Sequence, residues 1–578
     1  MRVSISKSKN AEQVYIIHSF RDKNGKSTSK IFKKLGSMNQ LLPLHDHDRD
    51  KVIVWAKEQA KIATASFNRE NETVSIPFHP NMQIRLNEQR IFNCGYLFLQ
   101  SLCAELRFDN ICRNIKSRHD YEYPLQEILL DMIYARILYP ASKKSTYSFA
   151  QTLLEQPHYD LHHIYRSLSV LADEADYIQS ELYHNSHFVH HRNTKILYYD
   201  CTNYYFEIED SDELRKYGKS KEHRPNPIVG MGLFMDADGI PLAFDIYPGN
   251  QNEQKTLKPL EKKVIRDFEC SEFIFCSDSG LASQDNRLFN DMGGRGYVVT
   301  QSLKKLKQEY RETALNPKQF KKLGSSEWID ISALDETDPE IYETIYYKEV
   351  PIESKKLSET MIVTYSPKYK AYQKKIRDQQ LERARKLIES GDKLKKERRN
   401  PNDPARFIKK TAVTEHGEIA DKEIYELDKD MINRETMYDG FYAVVTDIDG
   451  DVSQIININR RRWQIEECFR IMKTEFDARP VYLQREDRIK AHFLICFIAL
   501  MIFRILEIRL EKEYTAEQII STLKKMDVCR LDEYGYIPTY RRTELTDKLH
   551  EIFGFRTDTE IIRKSKMRSI IKKSKEKQ

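Results

Sequence analysis

Asp200, Asp278 and Glu466 are the acidic residues whose settings point to chemistry. Asp200 interrupts the apolar and aromatic run KILYYDCTNYYFE (195–207), and Asp278 closes the apolar run in EFIFCSDSGL (272–281). A carboxylate inside an apolar strand costs free energy unless something compensates it, and a bound cation can do so. Glu466 lies in NRRRWQIEECFRIMKTEF (459–476), where Ile465, Phe469, Met472 and Phe476 recur at helical spacing. The spacing predicts one helix over 459–476. On it, Arg462, Glu466 and Lys473 occupy a neighbouring face. Such a face offers an oxygen ligand for a divalent metal, with a guanidinium and an ammonium for phosphate oxygens. Taken alone, such a face is more often a solvated one with i,i+4 ion pairs. Two aspartates on adjacent strands plus a glutamate on a following helix can hold two Mg²⁺ ions ~3.5–4 Å apart, and such a site needs no covalent nucleophile. Glu467 is the competing carboxylate, but it points about 100° away around the helix.

The elements that must position these residues follow an informative order. After the strand carrying Asp200, PIVGMGLFMDADGIPLAFDIYPGN (227–250) reads as two strands joined at Asp238-Gly239. A helix is expected across Glu253 to Phe268, then the strand ending in Asp278, a helical stretch over 282–291, and a fifth strand YVVTQ (297–301). This βββαβαβ order predicts an α/β protein with a ribonuclease H-like catalytic core. Asp236 and Asp238 sit at a hairpin turn, where aspartate is ordinary, and Asp245 has no assigned role.

Further domains flank that core. The chain is expected to begin with a small N-terminal β-hairpin plus helix unit (1–85) and a helical, candidate DNA-binding domain (86–190). The first part of the core (191–301) is followed by a β-rich insertion (302–440). The second part of the core with the catalytic helix (441–512) precedes a helical, basic C-terminal region (513–578). Asn24-Gly25 marks the hairpin turn. Leu125, Ile128, Leu129, Met132, Ile133 and Ile137 give the helical region its apolar stripe, stopped by Pro140, and a scaffold role fits that region as well as DNA binding. Within the insertion, 369–398 reads as a strongly charged helix, either a solvated spacer or an arm against a DNA backbone.

The 94 Lys and Arg residues against 88 Asp and Glu give a net charge of only +6, which permits a nucleic-acid partner without demanding one. The 9 cysteines include no CxxC pair, and the polar start shows no secretory segment, so a reducing, cytoplasmic setting is expected. The apolar run Phe493 to Phe503 is too short for a bilayer and reads as a core helix. Gly25-Lys26-Ser27 and Gly218-Lys219-Ser220 lack the upstream glycine of a phosphate loop. His184, His187, His190 and His191 match no usual ligand spacing. The basic end, with Arg563, Lys564, Lys566, Arg568, Lys572, Lys573, Lys575 and Lys577, reads either as a phosphate-attracting tail or as a disordered solubilising one.

With these residues in view, the chain resembles the DDE transposases of bacterial insertion sequences, in particular the IS4-like superfamily and its IS1634 branch. The strongest marker is the signature Y-x2-R-x3-E-x6-K, met by Arg462, Glu466 and Lys473, with RPVY and RIKAHFLICFIALMIFR following. MIYARILYPASK (132–143), YYDCTNYYFE, YGKSKEHRPN (217–226), SDSGL and YDGFYAVVTD support it. The resemblance implies Asp200, Asp278 and Glu466 as catalytic residues and ligands of two Mg²⁺ ions, for which Mn²⁺ can substitute, and Arg462 and Lys473 as DNA-phosphate contacts. It implies a homodimer acting on double-stranded DNA, both terminal inverted repeats and target, in a bacterial, nucleoid-associated setting. It also suggests that an aromatic of the insertion wedges beside a flipped base; Trp328 is the insertion's only tryptophan, and simple packing explains it as well. The signature tyrosine is replaced by Asn459. Two other readings stay open: a ribonuclease H-like nuclease or resolvase without strand transfer, and a domesticated, non-catalytic DNA-binding protein.

Overall fold

The computed structural model describes residues 1–577 except 9–10, 22–24, 71–72, 354–355, 391–402 and 414–421. The chain forms two compact units, Met1–Glu88 and Gln89–Gln578. In the first, strands β1 (Arg2–Lys7), β2 (Glu12–Arg21) and β3 (Ser27–Ser37) make an antiparallel sheet in the order β1-β2-β3. Val14, Met38, Leu41, Val52 and Ala56 close its core, the last two contributed by the Arg49–Glu70 helix. The N-terminal hairpin expected around Asn24-Gly25 is therefore part of a three-stranded sheet, and the expected turn falls partly outside the described residues.

The second unit begins with β4 (Ile91–Asn93) and six helices between Tyr96 and Val189. Next come β5 (Ile196–Tyr205), β6 (Ile228–Asp236), β7 (Pro241–Pro248), β8 (Ile274–Ser277) and β9 (Tyr297–Thr300). They are followed by β10 (Lys321–Lys322), β11 (Tyr346–Glu353), β12 (Ser358–Tyr365), β13 (Ile408–Val413), β14 (Lys422–Leu427) and β15 (Phe441–Thr446). The last strands are β16 (Asp527–Leu531) and β17 (Gly535–Pro538). One nine-stranded mixed sheet runs β10-β11-β12-β15-β9-β8-β5-β6-β7. Within it β5, β8 and β9 are parallel, while β6 and β7 return antiparallel on one side and β15, β12, β11 and β10 continue antiparallel on the other. The 302–440 stretch thus lengthens the central sheet, through β10 to β12, besides forming the separate β13-β14 ribbon. Its charged helix spans Pro367–Glu389, and residues 391–398 of the expected helix lie outside the described residues.

Local chemistry explains the turn between β6 and β7. Asp236, fully buried, accepts from the backbone N–H groups of Asp238 (3.0 Å) and Ile240 (2.9 Å), and its other oxygen receives Arg192 Nε at 2.6 Å. Burial raises the pKa of Asp236 while Arg192 opposes the rise, the balance of a paired interior charge. The Glu486–Arg509 helix is long and apolar enough to cross a membrane, yet Phe493 to Phe503 are all buried within the protein against the Leu125–Leu138 and Leu161–Asp173 helices.

The C-terminal region folds back on the start of the unit. β16 pairs with β4, and Phe98 stacks on Phe555 with ring centroids 4.9 Å apart. The basic end is a docked element. Its Lys564–Lys573 helix leads to Ser574, whose hydroxyl donates to Gln100 Oε1 at 2.6 Å, and Lys575 and Lys577 pair with Glu155 and Asp109.

Candidate active site

The parallel register of β5 and β8 brings Asp200 and Asp278 together. Ile196, Leu197 and Tyr198 lie opposite Ile274, Phe275 and Cys276, so the same offset sets Asp200 beside Asp278, just past the end of β8. Side chains alternate along strands and neighbouring strands lie ~4.8 Å apart. Asp200 and Asp278 therefore project to one face at one level.

Asp278 is held by a local turn, one carboxylate oxygen accepting from Gly280 N and Leu281 N, each at 3.0 Å. Asp200 is partly buried and accepts from Cys201 N at 2.7 Å. Burial pushes its pKa up to about 6; Asp278 adds to the rise, and Lys221 and Arg462 oppose it. A half-buried carboxyl beside a second one, with positive groups still short of balancing it, fits a site for a divalent cation.

The helical segment over these strands differs from the predicted one. Two helices, Val452–Arg460 and Trp463–Thr474, replace the single helix expected from 459 to 476. The Tyr198 hydroxyl on β5 donates to the Ile458 carbonyl at 2.9 Å, the acceptor that Arg462 N would use in a continuous helix. Arg462 N turns instead to Asn459 O at 3.2 Å, and the chain tightens into i→i+3 bonds at this point. Ile465, Phe469, Met472 and Phe476 are buried as the periodicity predicts. Asn459, in the last turn of the first helix, donates to the Tyr442 hydroxyl on β15 at 3.1 Å, which fastens that helix end to the sheet.

Glu466 lies on the outer side of this arrangement. Its side chain is 58% exposed and pairs with Arg462 at 3.2 Å. The oxygens of Asp200, Asp278 and Glu466 do not all come within 4.8 Å of one another. Glu467 is tied to Arg470 by two hydrogen bonds, at 2.8 and 2.5 Å, and faces elsewhere. Lys473 is mostly buried, 3.3 Å from Glu222, with its ammonium 5.4 Å from the Tyr204 ring centroid. Burial brings its pKa down to about 8, with Lys221 adding and Asp200 opposing.

Three residues at the site had no assigned role from sequence. Lys221 reaches the Cys201 carbonyl beside Asp200, Glu222 bridges Lys473 and Arg479, and Arg479 also lies over the Tyr205 ring. Asn203 on β5 positions their loop, donating to Lys219 O and accepting from Lys221 N, both at 3.1 Å. The loop approaches the β7 end closely: a Cβ on Gly218 would lie 2.0 Å from the Gly249 carbonyl oxygen. The stretches YGKSKEHRPN and RPVY carried the only sequence signal for these residues.

Residues 186–502 match the family model of the transposase DDE domain, which covers both aspartates, both helices and the strands between them. The chain belongs to the DDE transposase family. Members are DNA-cleaving enzymes that generally use divalent metal ions, in keeping with the acidic pair on β5 and β8. A comparison with curated proteins finds no match. In this transposase Trp328 is 65% exposed, with Lys321 Nζ 4.4 Å from its ring centroid. The four histidines of 184–191 join no candidate metal cluster among the described residues.

Proposed function

We propose that the chain is a cut-and-paste insertion-sequence transposase of the IS4-like superfamily, IS1634 branch, with a ribonuclease H-like core. The observation that carries this reading is the pair Asp200 and Asp278, level on neighbouring parallel strands under the helix that bears Glu466. The sheet order β9-β8-β5-β6-β7 supports a ribonuclease H-like assignment.

Asp200, Asp278 and Glu466 would hold two Mg²⁺ ions, which when bound supply charge neutralisation and activation of the attacking oxygen. Arg462 and Lys473 bind phosphate oxygens of the DNA end. Arg462, paired with Glu466 at 3.2 Å, would be available to a phosphate oxygen if Glu466 served as a metal ligand. Glu222 keeps Lys473 and Arg479 in place until DNA phosphates compete for them. The substrates are terminal inverted repeats and target DNA, cleaved and then joined by a homodimer that holds both ends, in the bacterial cytoplasm at the nucleoid.

The test is cleavage of an inverted-repeat duplex with Mg²⁺. Asp200→Ala, Asp278→Ala and Glu466→Ala should each abolish cleavage and leave DNA binding largely in place; full cleavage by any one of them refutes the assignment. A joining assay with a pre-cut end separates a transposase from a nuclease that lacks strand transfer.

A further inference from the structure

A second cluster of cations lies beyond Arg479, in a cavity of about 410 Å³ between the Leu125–Leu138 helix, the start of the Lys143–Ala150 helix and the 477–483 loop. Arg136 and Lys143 line it and are only 4% and 5% exposed. Arg136 donates to the carbonyls of Phe476 (2.9 Å), Asp477 (3.3 Å) and Ala141 (3.5 Å), while its buried Nε has no partner among the described residues. Lys143 forms no ion pair among the described residues. It is also the first residue of a helix with no acid in its first turn, where the helix dipole adds positive potential. Burial, with Arg136 adding to it, brings Lys143 down to about 7. The acid on the rim, Asp477, is exposed. Buried charges are normally paired. Here two buried cations and a helix N-terminus line one cavity.

We propose that this cavity seats a phosphate group, specifically one backbone phosphate of bound DNA away from the scissile bond. The choice of DNA as its source rests on the transposase reading. Arg479 links the two places: it lines the cavity and shares Glu222 with Lys473 at the candidate active site. The cavity volume falls within the roughly 300–1,000 Å³ of ordinary ligand pockets and leaves room for sugar atoms beside the phosphate. Tyr482 stands exposed on its rim as an apolar wall for that sugar.

The experiment uses the full chain and Lys143→Met in two arms. In the first, the thermal midpoint is measured in inorganic phosphate against chloride at matched ionic strength. Phosphate should raise the midpoint of the native chain more than that of the variant, whose own midpoint in chloride should be unchanged or higher because an unpaired buried charge is gone. In the second, inverted-repeat DNA is bound without divalent metal across 50–200 mM salt. Losing one phosphate contact should make the affinity fall about threefold to fourfold less steeply over that range. Equal phosphate responses in the two proteins overturn the site. A phosphate response that depends on Lys143, with an unchanged DNA salt slope, overturns DNA as the source. Cleavage by the native chain is scored separately, so a failure of the transposase reading is seen on its own.

Discussion

Asp200→Asn tests the electrostatics of the acidic pair directly. Asparagine keeps the shape and the acceptor for Cys201 N but removes the charge that burial and Asp278 disfavour. A rise from 3.8 to about 6 is worth at most about 3 kcal/mol at neutral pH. The sign follows from the proton: the fold favours the protonated carboxyl, so stability is intact below pH about 4 and is lost as pH rises through about 6. In metal-free buffer at pH 7.5, the variant should therefore be more stable than the native chain. For a unit the size of Gln89–Gln578, with an unfolding entropy of roughly 1 kcal/mol/K, the gain corresponds to ~3 °C in the thermal midpoint. The difference should vanish near pH 4. Saturating Mg²⁺ should stabilise the native chain, by about 2.7 kcal/mol at a hundred times its dissociation constant, and have little effect on the variant. Differential scanning calorimetry in EDTA and in Mg²⁺, from pH 4 to 8, reads all of this. A variant that is less stable at every pH, or that gains as much from Mg²⁺ as the native chain, refutes the account of Asp200 as a destabilised carboxylate awaiting a cation.

Two further outcomes follow from the loop and helix around that pair. Because burial brings Lys473 down to about 8, its ammonium is charged below that pH and neutral above it, so DNA affinity should fall between pH 7 and 9. Lys473→Arg should flatten this profile in an anisotropy titration, and an unchanged profile removes Lys473 from the phosphate contacts. Gly218→Ala puts a Cβ 2.0 Å from the Gly249 carbonyl and must displace the loop that carries Lys221 and Glu222. It should cost about 1–3 kcal/mol and slow single-turnover cleavage. Gly450→Ala, whose Cβ would meet only Ile448 Cγ2 at 3.9 Å, is the matched control and should leave both readouts unchanged.

How much of the site the chain announces depends on how local its signals are. Alternation and apolar runs located β5, β6, β7, β8 and β9, because each strand buries its own side chains and ends at its own turn. Helical periodicity likewise marked Ile465, Phe469, Met472 and Phe476 as buried. The break between Arg460 and Trp463 carried no such mark; the hydroxyl that binds the Ile458 carbonyl there comes from Tyr198, some 260 residues away in sequence. For the same reason Lys221, Glu222 and Arg479 went unassigned. Each earns meaning only from a partner supplied by another element.

What the sequence determined by itself is the order of elements and the residues able to do phosphodiester chemistry: two acids placed in apolar strands, and an Arg, Glu and Lys on one helix face. The tertiary structure decided which of them meet. Parallel register, a long-range property of hydrogen bonding between β5 and β8, set Asp200 beside Asp278, while burial, with a smaller contribution from Asp278, raised the pKa of Asp200. Tertiary packing also left Arg136 and Lys143 buried with no ion pair among the described residues, whereas the Arg462–Glu466 pair is the local i,i+4 contact that the spacing already offered. Charge and burial belong to neighbourhoods, and neighbourhoods here are made by strands and helices far apart in the chain.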